Sequence, residues 1–332
     1  MKKFKLWLPL VLIPGILLSG CATYVRNLQS IPTSESSFTL NEPIRDVLFE
    51  NEFKTILEQA VQECNDKSMT INNIWATLID LRDKNYPRMA SYRGNEKRYP
   101  ASVVKMIYMV ATFRQIDLGE LKLTRDLKKD LFLMIKYSDN EATNRILDRL
   151  TNTVSGDNLD DYNFNIFTYK RNWVNQYISE LGFTGSYACQ KTWSDTPFGR
   201  DVQFLGYPDE SHFKNSNKMT TDDTARLLYL IEKGRIVSKS ACKKMKKLMR
   251  RKLDAKSTFM NGAVPKYAKV FSKAGYISGE KDDAAIIDLG DGKKFILVVF
   301  TIFDKNETDI MRIITRKVVE YFEKPQEIAI IK

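Results

Sequence analysis

The 332-residue sequence contains very little histidine and cysteine. Its single histidine is His212, and its four cysteines are Cys21, Cys64, Cys189 and Cys242. A catalytic zinc site usually needs several convergent histidine, cysteine or carboxylate ligands, so we predict neither a metal site nor a cofactor. A Ser-His-Asp triad would depend on His212, and no Gly-x-Ser-x-Gly run supports one. The common glycine-rich phosphate-binding motifs are absent as well.

The N-terminus has the pattern of an export signal. Three lysines among the first five residues precede an apolar run at 6–18, which is too short to span a bilayer comfortably. The run Leu18-Ser19-Gly20-Cys21 resembles the bacterial lipoprotein cleavage box. That resemblance implies that Cys21 is diacylated and becomes the first residue of an exported protein anchored to a bacterial membrane. The alternative is an ordinary signal that happens to contain a cysteine.

Lipidation of Cys21 would leave three cysteines, an odd number that allows one disulfide and one free thiol without fixing the pairing. Removal of residues 1–20 also removes three lysines and no acid, which lowers the net charge from +11 to +8. Part of the remaining excess lies at 243–251, on what reads as the solvent face of an amphipathic helix. Attraction to anionic lipid or cell-wall polymer is the alternative interpretation. For an exported lipoprotein we expect no nucleic-acid partner.

The distribution of strand and helix patterns predicts the fold class. Strand patterns occur at 74–81, 88–92, 270–276, 284–289 and 294–303. Helical patterns lie before and after these strands, and a mostly helical block separates the two groups. We therefore predict an α/β fold in which an antiparallel five-stranded sheet is flanked by the N- and C-terminal helices and carries an inserted all-helical domain.

This prediction divides the chain into segments, and we expect a monomer. The segments are a lipoprotein signal peptide at 1–20, a tether at 21–42, a sheet domain at 43–100 plus 268–324, a helical domain at 101–267, and a tail at 325–332.

Ser-x-x-Lys occurs four times, beginning at Ser102, Ser211, Ser240 and Ser278. Only the first occurrence opens a strongly apolar helix. One helical turn places Ser102 and Lys105 on the same face, where an amine can take the hydroxyl proton. The unpaired N–H groups at the start of a helix can also face a developing oxyanion.

Two further motifs follow in order. Ser138-Asp139-Asn140 is continued by Glu141-Ala142-Thr143-Asn144, and Lys273-Ala274-Gly275 lies on a predicted strand. With the run Tyr99 to Lys105, this arrangement resembles the class A serine β-lactamases and their penicillin-binding-protein relatives over residues 45–322. The resemblance implies a serine hydrolase that acts on a β-lactam or on a D-Ala-D-Ala peptide.

The resemblance also implies residue roles. Ser102 is the nucleophile, Lys105 the general base, and Ser138 a proton relay toward the leaving nitrogen. Asn140, Lys273 and Gly275 belong to the substrate-binding side, and the backbone N–H groups of Ser102 and Tyr276 form the oxyanion hole.

The third motif departs from the family pattern. The family usually has a hydroxyl residue where this chain has Ala274, so one hydrogen bond to the substrate carboxylate is lost. Such a bond to a charged group contributes about 1.5–3 kcal/mol. The arginine that many members carry on the following strand is absent, and Lys281 is the nearest cation that could replace it.

The loop glutamate that deacylates class A enzymes is not evident. Counting forward from Leu181 places that position near Thr192, and counting back from Thr220 places it near Glu210. We take Glu210 as the candidate, with a solvated loop acid as the alternative. In addition, only 36 residues separate Ser102 from Ser138, fewer than in typical class A enzymes, which predicts a rebuilt helical domain.

The predicted function is a serine acyl-enzyme hydrolase that opens β-lactam amides. One alternative is a D-Ala-D-Ala carboxypeptidase or transpeptidase with slow deacylation. The other is a catalytically silent protein that binds peptidoglycan.

Overall fold

The computed structural model describes residues 42–192, 198–206, 215–303 and 309–324. In these residues one sheet is covered by helices on both faces. The strands are β1 Ile44–Arg45, β2 Ile74–Asp80, β3 Arg88–Tyr92, β4 Lys269–Ile277, β5 Glu280–Asp288 and β6 Lys294–Ile302. The helices are α1 Val47–Glu63, α2 Lys105–Asp117, α3 Arg125–Phe132, α4 Asn140–Thr151, α5 Asp161–Arg171, α6 Trp173–Glu180, α7 Gly199–Leu205, α8 Thr221–Lys233, α9 Lys239–Met249 and α10 Ile310–Glu323.

The sheet is mixed and has six strands in the order β1-β3-β2-β6-β5-β4. Five strands pair antiparallel as predicted, so the expectation of a five-stranded antiparallel sheet was incomplete. The additional strand, β1, pairs parallel to β3 through two residues. The Ile44 N–H donates to the Pro87 carbonyl at 2.9 Å, and the Asp46 N–H donates to the Met89 carbonyl at 3.1 Å. Two residues are too few to produce a periodic pattern in a sequence.

The main apolar core lies between one face of the sheet and the terminal helices. Alternate residues of the central strands, such as Leu78 on β2 and Leu297 on β6, contribute to this core together with buried side chains of α1 and α10. Asp46 caps α1, because its carboxylate accepts the N–H groups of Leu48 and Phe49 at 3.0 and 3.1 Å. The opposite face packs against α8, where the hydroxyls of Thr77 and Thr221 are hydrogen-bonded at 2.8 Å.

All six strands lie inside the two segments predicted for the sheet domain, and α2 to α9 lie inside the segment predicted for the helical domain. The division into two domains stays a prediction. Cys64, Cys189 and Cys242 are buried and form no disulfide with one another, so none of the three pairings that these cysteines allow is formed. None of the helices formed by the described residues is long and apolar enough to cross a membrane. The signal, the tether and Cys21 lie outside the described residues.

Candidate active site

Ser102 lies on a short 3-10 turn, Ala101–Val104, that leads directly into α2. Val103 and Val104 on this turn are fully buried, whereas Ser102 stays partly exposed. The apolar side of the turn is therefore fixed in the core, and the serine is presented at its surface. N–H groups at the start of a helix can stabilise a negative charge that forms beside this hydroxyl.

Lys105 is fully buried one turn after Ser102. Its ammonium donates to the Ser138 carbonyl at 2.6 Å and to Asn140 Oδ1 at 2.7 Å, and it lies 3.3 Å from Ser138 Oγ. Among the described residues, the Lys105 ammonium bonds to Ser138 and Asn140 and not to Ser102. Hydrogen bonds between catalytic groups often tighten only when a substrate binds. Burial lowers the pKa of Lys105 to about 7, although the nearby Asp139 opposes this shift. A substantial neutral fraction at neutral pH can therefore accept a proton.

Ser138 has an unusual backbone conformation. It follows one turn of π-helix, Leu133–Tyr137, and adopts a left-handed conformation with φ of 60°. This conformation costs a non-glycine residue about 1–2 kcal/mol, so the contacts around it must hold it in place. On its C-terminal side, the Asp139 carboxylate accepts the Ala142 N–H at 2.6 Å and caps α4, whose first residue is Asn140. Ser138 thus connects two helical segments with its hydroxyl between the two site lysines.

Lys273 supplies the second lysine from β4 and is almost completely buried. Its Nζ donates to Ser138 Oγ at 2.9 Å and also to the Ala274 carbonyl. Burial lowers the pKa of Lys273 well below its usual value, and the positive charges of Lys105 and Arg251 lower it further. Two lysines therefore converge on one hydroxyl, an arrangement that can move a proton between Lys105 and a group bound at Ser138.

Gly275 allows β4 to pass directly against the turn that carries the nucleophile. A Cβ at this position would lie 2.7 Å from the Ser102 backbone nitrogen and 2.9 Å from the Pro100 carbonyl oxygen. Both are backbone atoms, so only glycine permits this approach without displacing the turn. Because β4 is the terminal strand of the sheet, its outer edge faces the site. The oxyanion hole formed by the N–H groups of Ser102 and Tyr276 remains a prediction. The close approach of β4 to the turn that carries Ser102 is compatible with it.

Lys281 lies on β5, next to the strand that carries Lys273. It pairs across the sheet with Tyr276, whereas Lys273 pairs with Ala284, so the two lysine side chains point to opposite faces of the sheet. Lys281 Nζ lies 5.8 and 5.9 Å from the ring centres of Phe259 and Phe303. Lys281 thus lies on the face of the sheet that also carries Ala274, two residues before Tyr276, and its replacement of the missing arginine stays a prediction.

The structure thus joins four of the predicted groups, Lys105, Ser138, Asn140 and Lys273, by hydrogen bonds. It places the backbone of Ser102 one helical turn before Lys105 and against Gly275. A family model described as the beta-lactamase enzyme family matches residues 54–130 and 126–322. The chain belongs to the beta-lactamase enzyme family. It is a serine hydrolase of the β-lactamase type.

Solved structures are similar over nearly their whole length. A β-lactamase from Sphaerobacter thermophilus DSM 20745 is 20% identical with a TM-score of 0.60, covering 82% of this chain and 97% of that one. PBP-A is 22% identical with a TM-score of 0.58, and the coverages are 86% and 99%. A β-lactamase from Chitinophaga pinensis DSM 2588 is 21% identical with a TM-score of 0.58, and the coverages are 82% and 99%. These likenesses show the common fold. No curated protein matches the chain in sequence.

Thr192, one of the two positions at which counting along the sequence places the deacylating residue, is held by α4. The Thr192 N–H donates to Asn144 Oδ1 at 2.9 Å, and Asn144 lies one helical turn after Asn140 on α4. Thr192 is nearly buried, and its hydroxyl oxygen has no hydrogen-bond partner. The loop residue held against the site-facing side of α4 is therefore not acidic. Glu210 and His212 lie outside the described residues.

Buried ion pairs secure the neighbouring residue of this loop. Lys191 Nζ bonds Asp148 at 2.6 Å and Ser155 Oγ at 2.7 Å. The fully buried Arg171 lies 3.2 Å from Asp201 and 3.5 Å from Asp148. Removing one partner of a buried ion pair leaves an uncompensated charge. The contacts of Lys191 therefore help to hold the adjacent Thr192 against the helices beneath it.

Sequence reasoning missed two charged residues beside the site, the partly buried Arg251 and the buried Asp282. Asp282 pairs across the sheet with Gly275 and accepts the Thr301 N–H at 3.2 Å. Burial, together with Glu280, raises its pKa well above the usual value. Both residues lie in charged stretches, at 250–252 and 280–283. The composition of such a stretch does not show which of its side chains are buried and which are solvated.

Proposed function

We propose that this protein opens β-lactam amides by forming an ester on Ser102. Ser102 Oγ attacks the lactam carbonyl carbon, the C–N bond breaks, and the hydroxyl proton passes through Lys105 and Ser138 to the departing nitrogen. Water then hydrolyses the ester and frees Ser102. The observation that carries this proposal is the placement of Ser138 Oγ 2.9 Å from Lys273 Nζ and 3.3 Å from Lys105 Nζ.

The charge state of the site suits this reaction. A neutral Lys105 can act as the base for Ser102, and its pKa of about 7 makes this form available at neutral pH. Lys273 is the group that we expect to face the substrate carboxylate, whose negative charge favours the protonated form of this lysine. Because Ala274 offers no hydroxyl, we expect weaker binding of the substrate carboxylate, by about 1.5–3 kcal/mol for one lost bond to a charged group.

Deacylation is the step that we expect to limit turnover. A general base typically contributes about 10²- to 10⁴-fold, and Thr192 cannot supply one at the loop position held by Asn144. A mutant of the structural neighbour PBP-A is described as an acyl-enzyme complex with penicillin G, which supports a penicillin as the probe. A silent binding protein is not favoured, because it has no need for a buried lysine with a lowered pKa beside a serine.

Covalent labelling with benzylpenicillin tests the proposal. The chain from Thr33 onward is mixed with excess drug, and intact mass and remaining drug are followed together over time. We expect an adduct that digestion and peptide mapping place on Ser102, with slow consumption of drug. The other Ser-x-x-Lys serines, such as Ser240, are internal controls. An adduct that is never hydrolysed would indicate the carboxypeptidase or transpeptidase alternative, and no adduct with no loss of drug would contradict the proposal.

We also propose that the protein is exported and anchored to a bacterial membrane through a lipid on Cys21. The support is the lysine-flanked apolar run and the Leu18-Ser19-Gly20-Cys21 box. We expect Cys21→Ala to move the protein from the membrane fraction to the soluble fraction, because the anchor is lost. Cys64→Ala is the matched control, since that thiol is buried. Unchanged fractionation of Cys21→Ala would contradict the anchor.

A further inference from the structure

Arg251 makes a dense set of hydrogen bonds behind the site. Its guanidinium donates to the Ser272 carbonyl through Nε at 3.0 Å and Nη2 at 2.8 Å. It also donates to the Lys136 carbonyl through Nη1 at 3.0 Å and to the Ile135 carbonyl through Nη2 at 2.8 Å. One side chain therefore connects three carbonyls of two separate segments.

Each of these segments leads directly into a residue of the site. Ile135 and Lys136 belong to the π-helical turn that ends at Ser138, and Ser272 directly precedes Lys273 on β4. The contact that Arg251 secures is therefore the one between Ser138 Oγ and Lys273 Nζ. The backbone of Arg251 also takes part, because its N–H donates to the Val270 carbonyl at 2.8 Å.

The bonding pattern requires an arginine. The guanidinium is a planar fork with five donors, whereas a lysine has one compact ammonium group. Its hydrogen-bond acceptors here are carbonyl oxygens. Burial lowers the pKa of Arg251, and the negative charge of Asp283 opposes this shift. The positive charge consequently acts on its surroundings and contributes to the lowered pKa of Lys273.

We propose that Arg251 is a positioning residue for acylation, which holds the turn before Ser138 against the strand before Lys273 so that the two side chains meet. This inference rests on the proposed function of the site. Arg251 has two separable effects. Its fork sets geometry, and its charge adds to the effect of burial on the pKa of Lys273.

Two replacements separate these effects in the full chain, purified in detergent. Arg251→Lys keeps the charge and loses the fork, whereas Arg251→Met loses both. Arg250→Lys and Arg250→Met are matched controls, because the Arg250 guanidinium lies over the Phe271 ring at 5.2 Å. The measurements are the rate of labelling by benzylpenicillin per folded molecule, the thermal midpoint, and the NMR titration of the Lys273 side chain, assigned by its loss in Lys273→Arg.

We expect Arg251→Lys to slow labelling by about 10²-fold, the effect of displacing a reacting group by roughly 1 Å, with the Lys273 titration near its parental position. Arg251→Met should raise the pKa of Lys273 as well, since a neighbouring positive charge is removed. Parental labelling rates in both variants, with only a lower thermal midpoint, would reduce Arg251 to a structural brace and overturn the inference. If the parent is not labelled, the proposed function fails, and an unchanged Lys273 titration in Arg251→Met overturns the inference separately.

Discussion

Replacement of Ser102 by alanine is expected to abolish covalent labelling by benzylpenicillin, since the hydroxyl that forms the ester is removed. Lys105→Met should slow labelling by about 10²- to 10⁴-fold, the usual contribution of a general base. Residues that act as one unit are strongly non-additive. The double variant should therefore react no more slowly than Ser102→Ala alone.

The measurement is intact mass against time for the parent, both single variants and the double variant. Ser240→Ala is the matched control, because it removes the serine of another Ser-x-x-Lys run on the exposed side of α9. Folding is checked by circular dichroism, which matters most for Lys105→Met because a buried hydrogen-bonded side chain is removed. Persistent labelling of Ser102→Ala at the parental rate would assign the nucleophile elsewhere.

The sequence was informative about the fold where a pattern is local and strong. The strands of the central sheet follow apolar runs, and Thr220 caps α8 by accepting the Asp223 N–H at 3.1 Å, as its composition predicts. The start of β5 was not predicted, because four consecutive charged residues, Glu280 to Asp283, look like a loop. In the structure Lys281, Asp282 and Asp283 are buried on that strand. Tertiary burial there overrides the local preference for solvent.

Two helices lie in polar stretches whose composition is typical of irregular loops. α5 begins at Asp161 inside the Asn- and Asp-rich stretch 151–166, and α7 lies within the polar stretch 183–219. Such residues favour turns in general, but the same chemistry favours a helix N-cap. Asp160 caps α5 by accepting the Asn163 N–H at 3.0 Å, so the composition that indicated a loop marks the start of a helix.

The site could be predicted only in part for a related reason. The three motifs are local in sequence, and their order and structural setting sufficed to bring Ser102, Ser138 and Lys273 together. The contacts of Arg251 with Ile135 and Ser272, and of Asn144 with Thr192, join residues far apart in the chain. No periodic pattern in the sequence predicts contacts between such distant residues. The face of the sheet on which Lys281 lies likewise depends on strand register, and this register includes Lys281 only because β5 begins at Glu280.

The largest gain of function that we expect comes from placing a carboxylate at position 192. Thr192→Glu puts an acid on the loop residue that Asn144 holds against α4. The position is nearly buried, and burial raises a carboxyl pKa toward neutrality, which suits a general base. We expect the Ser102 ester to be hydrolysed about 10²- to 10⁴-fold faster, the range over which a positioned base contributes, with acylation little changed.

Pre-formed adduct is separated from free drug, and its loss is followed by intact mass for the parent and Thr192→Glu. Thr192→Gln is the matched control for shape without charge and should keep the parental lifetime. Adding Asn144→Ala to Thr192→Glu should cancel most of the gain, because the loop residue loses its anchor. An unchanged lifetime in Thr192→Glu would contradict the assignment of this position, and Glu210→Gln then decides the alternative. A longer-lived adduct in Glu210→Gln would identify Glu210 as the base that the parent already uses.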